Sequence, residues 1–192
     1  MLLALALPAQ AAELEGVALD DRARVDGQEL RLNGMGLRTR LLFNVYVGGL
    51  YFTRPVSTPQ EALDAKGPKR VVFVMLREAS AEQFVESIDH GLRGNNSAAE
   101  LARFKPQIDA LFAMIRNVGV ARKGMRIVLD YAPSVGGTTL FVDGVAQGPP
   151  MPGADYHRAL LRIWLGDNPA QEGLKRALLG GQAVSRGARN DP

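Results

Sequence analysis

The chain has 192 residues and no cysteine. Disulfides, thiolate-bound metals and a thiol nucleophile are thereby excluded together. Histidine is almost as scarce. His90 and His157 are the only imidazoles, and no H-E-x-x-H pattern sets two of them on one helix face, so a catalytic zinc site is not expected. No apolar run approaches the ~20 residues that cross a bilayer as a helix. Positive charge is thinly spread: the formal net charge is +3, and basic residues run no further than pairs such as Arg122-Lys123, with Arg126 shortly after and no aromatic residue interleaved. Nucleic-acid binding asks for a denser basic stripe. Phosphate loops are missing too, because Gly34-Met35-Gly36 leads into a strand instead of opening a helix. Those glycines read as the hinge of a tight turn at the strand's mouth. There is no G-x-S-x-G elbow, the carboxylates are scattered, and Asp89-His90 and Asp155-x-His157 read as ordinary surface or half-buried pairs.

What is present suits one folded domain. Hydrophobic residues make up 46% of the chain and charged residues 22%, ordinary values for a globular protein with a sizeable core. Residues 1–12 differ from the rest: Leu2-Leu3-Ala4-Leu5-Ala6-Leu7, Pro8, then Ala9-Gln10-Ala11-Ala12. A short apolar run before an A-x-A site reads as the remnant of a secretory signal, with a mature protein starting near Ala12 or Glu13 and a periplasmic location. The polar stretch 182–192 reads as a disordered tail. The domain is therefore expected over 13–181.

Along that domain, Val17 to Leu32 alternates loosely around Asp26-Gly27, a hairpin signal. Thr39 to Tyr51 reads as one long strand. Arg38, Arg40, Asn44, Tyr46 and Leu50 fall on one face, and Val45, Val47 and Tyr51 on the other. A short helix over Thr58 to Ala65 and an apolar strand from Arg70 to Leu76 follow. Ser80-x-x-Gln83 is a capping box for a helix with a stripe of Phe84, Val85, Ile88 and Leu92, broken by Gly94-Asn95-Asn96. A second helix spans Ser97 to Ile115, with a restart at Pro106. Met125 to Tyr131 and Thr138 to Val142 form a hairpin, and helices over Ala154 to Leu165 and Ala170 to Leu179 close the chain. Strands run together and helices run together, which predicts α+β with a mainly antiparallel sheet and helices on one face.

Arg38 resists a plain reading. An arginine lining an apolar groove is costly unless an anion meets it; the alternative is an exposed charge at a strand end. Arg40, two residues on, reads as solvated.

Several segments together are similar to the chalcone isomerase-like family, in its exported bacterial branch. They are Leu32-Asn33-Gly34-Met35-Gly36-Leu37-Arg38, Val45-Tyr46-Val47-Gly48-Gly49-Leu50-Tyr51-Phe52 and Ile163-Trp164-Leu165-Gly166-Asp167, extended by Gly173 to Leu179. The resemblance implies an open-faced β-sandwich: a large antiparallel sheet with helices layered on one face and a cleft between. In the plant enzymes of this family an arginine orients a phenolate that adds to an enone, and a threonine and a tyrosine stabilise the enolate. Carried over, the arginine falls on Arg38 and Tyr46 stands where the enzymes have threonine. The segment Ser80 to Arg93 lacks the tyrosine and asparagine expected there, and Ile163 and Trp164 replace the last polar pair. With those donors lost, the resemblance points to a non-catalytic binder of a small apolar anion such as a fatty acid, held beside Arg38 and lined by Tyr46, Ile163 and Trp164. An intramolecular lyase acting on a chalcone-like enone is the alternative, and haem held by His90 or His157 a further one. Nothing in the pattern fixes an oligomeric state.

Overall fold

The structure, a computed structural model, describes residues 11–181; the expected leader up to residue 10 and the tail from 182 lie outside the described residues. The chain opens with a hairpin of β1 (Ala11–Leu14) and β2 (Val17–Asp20), then β3 (Arg22–Val25) and β4 (Gln28–Arg40). Asp26 and Gly27, both at positive φ (54° and 72°), make the two-residue turn between the last two. That is the backbone twist such a hairpin demands.

The expectation of a single strand from Thr39 to Tyr51 is corrected. β4 ends at Arg40 and β5 (Phe43–Phe52) turns back antiparallel to it, so Arg38 pairs with Tyr46 and Arg40 with Phe43. Leu41, at φ 54°, and Leu42 form the turn. A leucine in the left-handed region costs about 1–2 kcal/mol, and the long β4–β5 ladder carries that cost. The cross-strand pairing still sets Arg38 and Tyr46 side by side.

Next come α1 (Pro59–Asp64), β6 (Lys69–Met75), β7 (Ala79–Ser80), α2 (Ala81–Asn95), α3 (Ala98–Arg103), α4 (Lys105–Val118), β8 (Val120–Ala121), β9 (Arg126–Ala132), β10 (Gly137–Val142), β11 (Val145–Ala146), β12 (Met151–Pro152), α5 (Ala154–Leu165) and α6 (Glu172–Leu178). The Ser80 box caps α2 as its spacing demands: Ser80 Oγ accepts from the Gln83 amide while Gln83 returns the bond. The helix runs through Gly94 to Asn95, past the expected break.

The strands form one antiparallel sheet in the order β11-β10-β9-β6-β5-β4-β3, with β12 paired to β10. Alternation gives it two apolar faces. One packs against α2, α4, α5 and α6 through Leu50, Phe73, Leu129, Leu160 and Trp164. The other, with Val47, Tyr51, Val72 and Val128, is closed in part by Leu19 of the β1–β2 hairpin. On that second face Arg70 donates to both Asp130 oxygens, at 2.7 and 2.6 Å.

The Gly34-Met35-Gly36 segment is also corrected. It lies inside β4, not at a turn. A Cβ on Gly34 would sit 2.1 Å from the Ala177 carbonyl oxygen, and one on Gly36 2.7 Å from the Ala177 Cβ. The glycines are there so that α6 can lie directly on the strand. Asn33 locks that contact, donating to the Leu178 carbonyl at 2.8 Å and accepting the Val56 amide at 2.8 Å.

Candidate ligand-binding site

At its other end β4 carries Arg38, on the same helix-facing side as Gly34 and Gly36. The guanidinium donates to the Thr39 carbonyl at 2.7 Å and to Gln171 Oε1 at 3.3 Å. Gln171, the residue before α6, also accepts the Thr39 amide at 2.8 Å. Both partners of Arg38 are neutral. Among the described residues no carboxylate pairs with it, in contrast to the fully paired Arg70.

Tyr46 stands next to Arg38 across the hairpin. Its hydroxyl accepts the Trp164 indole N–H at 3.0 Å, a bond that ties β5 to α5. Burial pushes the Tyr46 pKa above the usual phenol value, while Trp164 and Arg38 pull the other way. The group thus stays a neutral O–H, and among the described residues it has no hydrogen-bond acceptor of its own. Its ring packs edge-on to Phe73 at 4.8 Å, and Phe73 meets Trp164 at 4.9 Å.

Two cavities meet at this wall. The inner one, about 70 Å³, is almost wholly apolar. Its floor is the sheet (Phe73, Ile127, Leu129, Leu140) and its roof comes from α2, α4 and α5, including Phe84, Ile88, Leu111, Ile163 and Trp164. The outer one, about 200 Å³, is lined by Arg38, Arg40, Arg77, Phe43 and Glu78. Tyr46, Phe84 and Ser87 border both. The arrangement is an apolar chamber behind a cationic vestibule, and Tyr46 is the polar group at the junction.

Of the residues singled out in the sequence, Arg38 lies in the vestibule, Tyr46 at the junction, and Ile163 and Trp164 in the chamber wall. Arg40 is exposed yet also lines the vestibule. Sequence reasoning missed Arg77, and it read Phe84 and Ile88 only as a helix stripe. A stripe shows which face is buried, not that a void remains beside it. Neither histidine lines either cavity: His90 is exposed on α2, and His157 is buried against Thr138, its Nδ1 3.0 Å from the hydroxyl. The imidazoles present therefore offer no axial ligand to a haem in this chamber.

The model of the chalcone isomerase-like family matches residues 11–180. The chain belongs to the chalcone isomerase-like family. A solved structure of the same architecture is the fatty-acid binding protein of Arabidopsis thaliana, with 15% identity, a TM-score of 0.68, and coverage of 89% of this chain and 96% of that one. At that identity the likeness establishes the fold, a large antiparallel sheet with helices layered on one face. No curated protein matches the sequence. Within the family frame, Asn33, Gly34 and Gly36 of the L-N-G-M-G-L-R segment serve to dock α6, and Arg38 alone faces the vestibule.

Proposed function

We propose that the protein binds a small apolar carboxylate, such as a fatty acid, without transforming it. The acyl chain enters the inner chamber and the carboxylate stays in the vestibule, on Arg38 and the Tyr46 hydroxyl. One observation carries this reading: a guanidinium with no acidic partner among the described residues sits beside a buried hydroxyl that accepts from Trp164 and donates to no acceptor among them, at the polar end of an apolar chamber. A carboxylate satisfies both groups at once through charge-assisted hydrogen bonds. The Arabidopsis relative is named for binding fatty acids, which accords with this reading. The chamber sets a size limit. At about 70 Å³ it falls short of the ~300–1,000 Å³ that ligand pockets usually offer, so even a medium acyl chain requires half-buried Phe84 to swing aside, and a long one more so.

Organic extraction of the purified protein followed by mass spectrometry is expected to release such an anion. The Arg38→Ala variant is expected to bind a medium-chain fatty acid about tenfold to a hundredfold more weakly, the range set by losing a hydrogen bond to a charged group, ~1.5–3 kcal/mol. Empty wild-type protein, together with unchanged affinity in that variant, would sink the proposal.

The Tyr46 hydroxyl also favours a second reading, an intramolecular lyase in which this group stabilises an enolate. Ser80 to Arg93 supplies neither the tyrosine nor the asparagine that would assist it, and each absent donor removes ~2.7–4 kcal/mol of such stabilisation. Turnover of a chalcone panel, abolished by Tyr46→Phe, would replace the binding reading with this one.

We further infer export to a periplasm and membership of the exported bacterial branch, on the apolar run Leu2 to Leu7 and the Ala9-Gln10-Ala11-Ala12 site. Cleavage after Ala11 keeps the β1 pairs of Ala12 with Leu19, Glu13 with Ala18 and Leu14 with Val17. The intact mass of protein recovered from a periplasmic fraction checks the cut; an uncut chain there refutes it.

A further inference from the structure

The large apolar side chains that the fold leaves in solvent are not scattered. Among the described residues five are exposed: Leu41 at 85%, Leu42 at 80%, Phe43 at 54%, Val135 and Val145. All but Val135 lie at one end of the sheet. Leu41, Leu42 and Phe43 form the tip of the β4–β5 hairpin, and Val145 follows the turn after β10. Between them run the segments that end β6 and begin β9, joined where the Gly124 amide donates to the Met75 carbonyl, while the Leu76 amide ties the first of them to β5 at the Val45 carbonyl.

Those intervening segments are basic. Arg40, Arg77, Arg122 and Lys123 are exposed at this end, with Arg38 and Arg126 behind them. Arg77 lies over the Phe43 ring at 4.4 Å, so the tip and the charge form one surface. The acids at the same end are fewer, Glu15, Asp143 and Glu78; Asn44 and the Arg126 amide donate to the first two without neutralising them, and the cations still outnumber all three. An apolar tip inside a cationic collar is complementary to one kind of surface, a bilayer of anionic lipid, whose headgroups meet the cations while the tip enters the acyl boundary. A leucine in the left-handed region of a two-residue turn has no benefit for folding that glycine or asparagine would not exceed, which sets Leu41 apart as a residue kept for its side chain.

We propose that the Leu41-Leu42-Phe43 tip and the arginines around it dock the protein on an anionic membrane surface, with the vestibule facing the lipid. The docking stands on this surface alone; the consequence that a ligand passes between bilayer and chamber without crossing water rests on the binding function proposed above. The docking proposed is a peripheral contact; no helix among the described residues is long and apolar enough to cross a membrane.

Co-sedimentation of the full chain with vesicles tests it, using phosphatidylglycerol mixed into phosphatidylcholine against phosphatidylcholine alone. The protein is expected to pellet with the anionic vesicles and to be released at ~1 M salt, where the screening length falls to about 3 Å. Leu41→Ser/Leu42→Ser changes only exposed side chains and is expected to weaken vesicle binding about tenfold or more, because the apolar tip no longer enters the acyl boundary. Arg40→Glu/Arg77→Glu is expected to abolish the preference for anionic lipid. No binding to anionic vesicles, binding indifferent to lipid charge, or unchanged binding by the leucine variant overturns the proposal; so does a concentration-dependent dimer lost in the leucine variant, which would make the tip a contact between copies. Medium-chain fatty acid affinity in vesicle-free solution is measured in parallel. It should be unaltered in Leu42→Ser/Val145→Ser, which changes exposed residues that line neither cavity and is expected to weaken docking likewise, so that failed docking with intact ligand binding is distinguishable from failure of the binding function.

Discussion

The two ends of strand β4 are built from similar residues and do opposite things. At the Asn33 end each polar group of the side chain meets a protein partner, and two glycines let α6 close onto the backbone with no space left over. At the Arg38 end, five residues along, the same helix-facing side opens into a vestibule, and a guanidinium has only neutral acceptors. One end spends its polarity on the fold. The other holds polarity in reserve, which marks a site, because buried polar groups are otherwise satisfied within the protein. A sequence segment that looks like a single motif therefore divides into a docking half and a recognition half.

The comparison breaks most visibly at Gly34. Alanine there would drive a methyl group to 2.1 Å from the Ala177 carbonyl oxygen. Neither β4 nor α6 can yield without losing the Asn33 bonds, so Gly34→Ala is expected to cost about 3 kcal/mol, the upper range for overpacking. Urea denaturation measures this directly; a shift below about 1 kcal/mol would mean that α6 is not held against the strand.

Acid offers a second test, on a buried polar group that faces no cavity. His157 Nε2 has no partner among the described residues, and burial, with Lys69 nearby, lowers the imidazole pKa from 6.5 to about 3. The folded value lies below the unfolded one, so the unfolded chain takes up this proton first as pH drops. The stability associated with the neutral ring is intact above 6.5 and is lost progressively towards 3, at about 1.4 kcal/mol per pH unit. Between pH 6.5 and 4.5 the expected loss is therefore ~2–3 kcal/mol. The depressed carboxylates of Asp26, Glu61 and Glu100 start from ordinary values of 3.8 to 4.5 and act below that window. Denaturation curves of His157→Gln across the same range should show the slope reduced by one proton; an equal slope would assign the effect elsewhere.

Asn33→Ala comes next. It removes the acceptor of the Val56 amide and the donor to Leu178 together. A cost of about 2 kcal/mol is expected, since orphaned backbone groups lose ~1–3 kcal/mol, with fatty-acid affinity unchanged. A fall in affinity as large as that of Arg38→Ala would show that the two ends of β4 are not separable.

Much of the architecture was legible because local chemistry and global fold agree. Asp26-Gly27 announces its turn through backbone freedom, and Ser80 with Gln83 announces a helix start through reciprocal bonds. Two-residue periodicity put Arg38 and Tyr46 on one face of a single strand, eight residues apart; the reversal that makes them cross-strand neighbours was not legible. What stayed hidden depended on partners far along the chain. Leu41-Leu42 carries no turn chemistry, and only the length of the ladder behind it reveals the reversal. Gly34 and Gly36 resemble hinge glycines until α6, some 140 residues later in the chain, is seen lying on them. Arg77 reaches the vestibule only because β6 pairs with β5.

The smallest expected effect sharpens the recognition half. Tyr46→Phe keeps the ring against Phe73 and removes only the hydroxyl that Trp164 donates to. Stability should fall by about 1 kcal/mol, the value of one hydrogen bond, and affinity for a medium-chain fatty acid by a few-fold. If the hydroxyl and the guanidinium grip the same carboxylate, their losses are not additive. A double-mutant cycle with Arg38→Ala should then give a coupling energy of at least ~0.5 kcal/mol, the threshold for residues that share a partner. Additive losses would mean that Tyr46 only props Trp164, and would leave Arg38 as the single anchor of the site.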